Sequence, residues 1–307
     1  MNPEPRNSAF EGAPLGLALS AGGAKGAYQI GCWKAFRELG IEFSAISGSS
    51  IGALNAALIC QGDLQTAQSL WYELTRIRII QPDYEKLKKV AKSAAIDLGL
   101  LLVPIPNIKA ATIVKYAKYA AVALRFGSGH GAPWKLLREG LGDTEAFKEL
   151  LKGYLDMSAV MNANIDLYVT AMTSPGFSLT KDWSRGYRIR DLGEEQAWDL
   201  LCASMALPLL FAPVELMGER LLDGGIAQWL PVEPLFDAGY RRIVAVGTKT
   251  GARAESKRYP ADRIILIQPK QALGRFPVAT FRFTERAIEK WTAQGYEDAL
   301  RVLEKEF

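Results

Sequence analysis

One histidine and three cysteines stand among 307 residues, and that scarcity removes several chemistries at once. His130 alone cannot build a histidine-rich metal centre. Cys32, Cys60 and Cys202 are far apart and odd in number. They show no metal-ligand spacing and no disulfide framework, so they read as buried thiols of a reducing compartment. Long apolar runs are also missing. No stretch of about 18 apolar residues exists, so no transmembrane helix is expected. The first residues, Met1-Asn2-Pro3-Glu4-Pro5-Arg6, lack the apolar core of a secretory leader. Charge of one sign is scarce too. The 37 basic and 33 acidic residues leave a net +4, which argues against nucleic acid as a partner. Weak attraction to an anionic membrane surface stays open. The expectation is a cytoplasmic protein with room for peripheral membrane contact. No metal and no cofactor are expected.

What is present is a sizeable core. The chain is 49% hydrophobic and 23% charged, ordinary values for a globular protein of one large α/β domain or two small ones. Residues 1–14 carry three prolines and little pattern, and read as an extended tail. Residues 15–307 read as one domain. Strand signals fall at Leu15–Ser20, Phe43–Ser47, Ile165–Met172, Phe177–Trp183, Pro213–Leu222 with a turn at Gly218, Arg242–Thr248 and Ile264–Gln268. Helical stretches alternate with them: about 28–39, 53–59, 63–75 and 279–306. The runs Ile243-Val244-Ala245-Val246 and Ile264-Ile265-Leu266-Ile267 indicate strands covered on both faces. The predicted fold class is α/β, a three-layer α/β/α arrangement around a mostly parallel sheet. Residues 83–140 differ in character and read as a helical insertion. Within it, 108–126 is amphipathic, with Ile113, Ala117, Ala120 and Leu124 on one face and Lys115, Lys118 and Arg125 on the other. That stretch reads equally as a membrane-docking element or as an ordinary packed helix.

Three short motifs sit where strands end. Gly48-Ser49-Ser50-Ile51-Gly52 is G-x-S-x-G between a strand and a helix, the context of a nucleophile elbow at Ser50. Alone, the pentapeptide reads equally as a plain Ser/Gly turn. Gly22, Gly23, Ala24, Lys25 and Gly26 follow the first strand and open the first helix. Their N–H groups can converge on an anion. The loop fails as a P-loop, lacking Gly-Lys-Ser/Thr, and misses the first glycine of a dinucleotide fingerprint. Asp223-Gly224-Gly225 follows the 213–222 strand region and alone reads best as a turn.

Together the three resemble the patatin-like phospholipase family of lipid acyl hydrolases. The family's glycine-rich oxyanion loop matches Ala21 to Tyr28, with Ala21 where glycine is usual. Its serine elbow matches Gly48 to Gly52, and its Asp-Gly-Gly matches Asp223 to Gly225. Ala203-Ser204-Met205-Ala206-Leu207-Pro208 looks like the family's Ala-Ser-x-Ala-x-Pro stretch. Gln228-Trp229 stand where asparagine is common, and 83–140 matches nothing in the pattern. The resemblance implies a patatin-like fold with Ser50 as nucleophile and Asp223 as base. It implies Gly22 to Gly26 as the oxyanion loop, with Gly48, Gly52, Gly224 and Gly225 as supports.

The mechanism this points to is a Ser-Asp dyad hydrolysing a carboxylic ester of a phospholipid or lysophospholipid. A serine hydroxyl needs a neighbouring base. No histidine follows Asp223, which disfavours the Ser-acid-His order of α/β-hydrolases. His130, among glycines, reads as an exposed loop residue. An acyltransferase of the same fold and a degenerate lipid-binding scaffold are the alternatives.

Overall fold

The computed structural model describes residues 14–76, 144–173, 184–208, 210–252, 264–276 and 278–306. Most of the 1–14 tail, the 83–140 insertion with His130 and its amphipathic 108–126 stretch, and the expected 177–183 strand lie outside these residues.

The chain opens with β1 (Leu15–Leu19), a 3-10 turn at Gly23–Gly26 and α1 (Ala27–Glu38). Next come β2 (Ala45–Ser49), α2 (Ile51–Gln61) and α3 (Leu64–Arg76). Then follow α4 (Thr144–Lys152), α5 (Met157–Met161), β3 (Asp166–Thr173) and β4 (Ser184–Arg188). After them come α6 (Glu194–Ser204), β5 (Val214–Leu216), β6 (Glu219–Asp223) and α7 (Glu233–Asp237). β7 (Arg242–Val246), β8 (Ile264–Ile267) and α8 (Glu285–Leu303) close the chain.

The strands form one eight-stranded sheet in the order β5-β6-β3-β2-β1-β7-β8, with β4 also on β3. The run β3-β2-β1-β7-β8 is parallel, as helical crossovers require. β4 and β6 are antiparallel to β3. Register decides where β6 lies. β2 pairs with Asp166 to Thr170, and β4 pairs with Tyr168 to Met172. These spans overlap, so β2 and β4 take opposite edges of β3. β6 pairs with Ala171 to Thr173, where β4 already holds one edge. It therefore shares the edge of β2 and meets that strand end to end. The ends that meet carry Ser49 and Asp223.

Alternation along β1 feeds two layers. Leu15, Leu17 and Leu19 join the large core that also contains α1, α2 and α6 side chains. Ala18 faces the other way, into a smaller core with Ala45, Ala245, Leu235 and Phe236. Small residues on that face let the short α7 lie close to the sheet. Each large aliphatic side chain so buried contributes about 1.5–3 kcal/mol. α1 and α8 cross in backbone contact. A Cβ at Gly31 would overlap Thr292 O, and one at Gly295 would overlap Tyr28 O. The Tyr28 hydroxyl donates to Asp298 at 3.2 Å across the same crossing.

The three-layer, mostly parallel architecture agrees with the sequence reading. Most boundaries differ by a residue or two, and three of the differences have a visible cause. β2 runs to Ser49 rather than Ser47, because its neighbours continue the ladder through Leu19 and Thr170. Phe43 instead packs edge-on against Phe36 at 5.1 Å. α8 starts at Glu285 rather than near 279, because the Thr284 side chain caps it, accepting the Ala287 N–H at 3.4 Å. β4 is a polar strand, Ser184-Arg185-Gly186-Tyr187-Arg188, with no apolar alternation to announce it.

Candidate active site

Ser50 caps the N-terminus of α2 with φ 56° and ψ −128°. Among the described residues only Ser50 and Met217 combine positive φ with a side chain. Such backbone is strained for a residue with a Cβ and persists only where neighbours hold it. The holding is visible. The Ser50 N–H donates to Ser204 Oγ at 2.9 Å, and Ser204 Oγ donates to Thr170 O at 2.7 Å. Ser49 is turned inward, its Oγ donating to Gln228 O at 3.0 Å and accepting from Thr170 Oγ1 at 2.8 Å. The elbow glycines provide clearance: a Cβ at Gly52 would overlap Leu19 O, and one at Gly48 would overlap Gly52 O.

The head-on meeting of β2 and β6 places two side chains in contact. Ser50 Oγ donates to Asp223 Oδ2 at 2.7 Å. The second carboxylate oxygen, Oδ1, accepts the Gly225 N–H at 2.7 Å. The Asp223 N–H donates to Ala206 O at 3.1 Å. One short segment at the C-terminal end of α6 thus holds both partners, Ser50 through Ser204 and Asp223 through Ala206. Asp223 is 5% exposed. Its burial pushes the carboxyl up from 3.8 to about 7, against the downward pull of the Ser50 and Gly225 hydrogen bonds.

The glycine-rich loop closes the third side. Gly225 marks the junction: a Cβ there would overlap the Ala21 methyl, lie 3.0 Å from Asp223 Oδ1 and 3.6 Å from Ser50 Cβ. The methyl that Ala21 adds, where glycine is usual, occupies space that Gly225 leaves. The loop is fastened at several points. Ala21 N donates to Trp229 O at 2.8 Å, Thr248 Oγ1 donates to Ala21 O at 2.8 Å, and Ala24 N donates to Thr280 O at 2.8 Å. The Ala24 N–H is therefore already engaged. Gly23 has φ 58°, the left-handed turn that aims the loop. Lys25 and Gly26 lie within the 3-10 turn. Lys25 is buried, and burial together with the nearby Lys249 lowers its pKa to about 8. Lys249 itself lies 4.3 Å above the Trp229 ring.

The structure thus brings together Ser50, Asp223, the 21–26 loop and their glycine supports Gly48, Gly52, Gly224 and Gly225. Sequence reasoning did not single out Thr170, Thr248 or Thr280. Thr170 and Thr248 fell within predicted strands and Thr280 within the expected 279–306 helix, so nothing marked them in advance. Among the described residues no group of acidic, histidine or cysteine side chains is arranged to hold a metal ion.

The model of the patatin-like phospholipase family matches residues 17–236. The chain belongs to the patatin-like phospholipase family. Among curated patatin-family relatives, it is 28% identical over 256 residues to the neuropathy target esterase sws of Drosophila melanogaster, covering 82% of this chain and 14% of that protein. It is 23% identical over 235 residues to the lysophospholipase NTE1 of Cryptococcus neoformans, covering 76% of this chain and 11% of that one. The chain thus spans a small part of these longer relatives. Among solved structures, VipD from Legionella pneumophila aligns over 96% of this chain and 67% of its own at 17% identity, with a TM-score of 0.46.

Proposed function

We propose that this protein is a serine acyl hydrolase that cleaves a carboxylic ester of a phospholipid or lysophospholipid through a Ser50-Asp223 dyad. The observation that carries the reading is the 2.7 Å contact between Ser50 Oγ and Asp223 Oδ2 on a strained elbow. Family membership and the printed names of relatives, a lysophospholipase and an esterase, point to the same substrate class.

The geometry supports the following steps. Asp223 Oδ2 takes the Ser50 hydroxyl proton as Oγ attacks the ester carbonyl carbon. The carbonyl oxygen becomes an oxyanion, stabilised by the Gly22 and Gly23 N–H groups. Ala24 is not a donor in this scheme, because its N–H is committed to Thr280 O. Lys25 adds positive charge to the loop as the oxyanion develops. The intermediate collapses, the C–O bond to the alcohol breaks, and Asp223 returns the proton to the leaving oxygen. Water then attacks acyl-Ser50 as Asp223 takes its proton, the bond from the acyl carbon to Ser50 Oγ breaks, Asp223 returns the proton to Oγ, and the fatty acid leaves. A carboxyl raised to about 7 is a better base than one near 4, which offsets the absence of a histidine from the dyad.

Labelling with a serine-directed phosphonate, combined with a lipid panel read by mass spectrometry, tests the reading. Wild type should label and release fatty acid, and Ser50→Ala should do neither while remaining folded. Label on Ser49 would overturn the assignment. Gly23→Val should lower turnover about a hundredfold, comparable to losing an oxyanion donor. Full turnover in a folded Gly23→Val would remove the loop from the mechanism.

A further inference from the structure

The oxyanion loop must stand at a fixed distance from Ser50, and its fastenings to Thr248 and Thr280 do not reach the helix that carries Ser50. A different set of bonds does. Gln29 Nε2 donates to Ser20 O at 2.7 Å, at the loop's start. Asn55 Nδ2 donates to Gly26 O at 3.0 Å, at the loop's end. The same Asn55 amide donates to Gln29 Oε1 at 2.8 Å, so the two side chains are tied to each other. Asn55 Oδ1 accepts from Trp71 Nε1 at 2.9 Å, which orients the amide. Asn55 is 0% exposed and Gln29 1%.

We infer that Asn55 and Gln29 are positioning residues that set the register of the Ser20–Gly26 loop against the nucleophile helix, an inference that rests on the hydrolase reading above. Asn55 lies five residues after Ser50 on α2, about 7.5 Å along the axis at the usual helical rise. One rigid helix therefore carries the nucleophile at its cap and the loop's clamp one and a half turns later. Movement of the loop relative to Ser50 must break at least one buried hydrogen bond. Both amide carbonyls and the donors aimed at the loop are engaged, and a satisfied buried network of this kind selects one arrangement over its near alternatives. An apolar residue at position 55 would leave Gly26 O, Gln29 Oε1 and Trp71 Nε1 each short of a partner. A loop displaced by about 1 Å loses its aim on the oxyanion, with little consequence for binding of the ground-state ester. The signature is thus a fall in kcat without a matching rise in KM.

The test uses the full chain and a soluble short-chain ester, well below the unfolding temperature. Asn55→Ala should lower kcat by about 10- to 100-fold with KM within about threefold. Its Ki for a trifluoromethyl ketone, whose adduct carries an oxyanion, should rise in parallel. Leu58→Ala, a buried truncation on the same helix whose side chain makes no hydrogen bond to the loop, should lose stability and keep kcat. Trp71→Phe removes the orienting donor but neither loop bond, and should cost less than about threefold in kcat. If Asn55→Ala does not fold, Gln29→Met carries the test, since it severs the Ser20 tie at nearly constant volume. Unchanged kcat and Ki in a folded Asn55→Ala or Gln29→Met would overturn the inference, as would an equal kcat loss in Leu58→Ala. Ser50→Ala in the same assay separates the two failures. If it hydrolyses as wild type does, the hydrolase reading falls first. If it is inactive while Asn55→Ala is intact, only the positioning role falls.

Discussion

Asp223 carries opposite demands of stability and chemistry on one carboxyl. Burial raises it to about 7 in the folded protein, against 3.8 for an ordinary aspartate. Between these values the folded protein holds a proton that the unfolded chain releases. Stability therefore falls as pH rises from about 4 through 7. Activity runs the other way, because the base works only when ionised. The profile of kcat/KM should rise to a plateau with a midpoint near pH 7. His130→Ala should leave that limb in place, which separates it from a histidine titration. Asp223→Asn should abolish activity, because an amide cannot take the serine proton. The same variant should be more stable than wild type at pH 8 by on the order of a few kcal/mol, read as a higher Tm, with the gap closing toward pH 4. A variant less stable than wild type at pH 8 would mean that the ionised carboxylate is a net support to the fold.

At the scale of elements, the crossing of α1 and α8 is set by the two glycines that let the backbones touch. Gly31→Ala and Gly295→Ala should each cost about 3 kcal/mol or more, since the added methyl would overlap carbonyl oxygens rather than flexible side chains. Thermal melts of the single variants check this, and a change of under 1 °C would show that the helices slide apart freely. Neither glycine carried a signal in the sequence, because close approach of two helices is a long-range fact. The parallel strands were legible for the opposite reason: apolar runs such as Ile243 to Val246 need both faces covered whatever their partners. β4 was hidden because an edge strand facing solvent can be polar. The serine elbow and Asp-Gly-Gly were legible as turns at strand ends. Their contact was expected from the family resemblance alone and not from the spacing, since it depends on β6 meeting β2 head-on along one edge of β3. Asn55 and Gln29 were equally hidden, and Ser204 was legible as part of a family stretch but not by its bonds, because a polar residue in an apolar helical stretch does not announce which partner it will reach.

At the scale of the whole molecule, no helix among the described residues is long and apolar enough to cross a membrane. The three cysteines offer a way to follow what the fold does. Cys32, Cys60 and Cys202 are all free and buried. Burial pushes the Cys60 and Cys202 thiols up to about 12 and raises Cys32 as well. At pH 8 the native protein therefore presents almost no thiolate to an alkylating reagent. Each sulfur reacts only when its own helix opens, and Cys32, held 3.3 Å from Gly295 O, reports on the α1–α8 crossing. Alkylation under native conditions, resolved by peptide mass spectrometry, should be slow at all three positions. A cysteine modified as fast as a free thiol would identify a helix that breathes. The molecule thus contains three internal stopwatches for its own opening, one on each of three helices, and they can be read with no engineered probe.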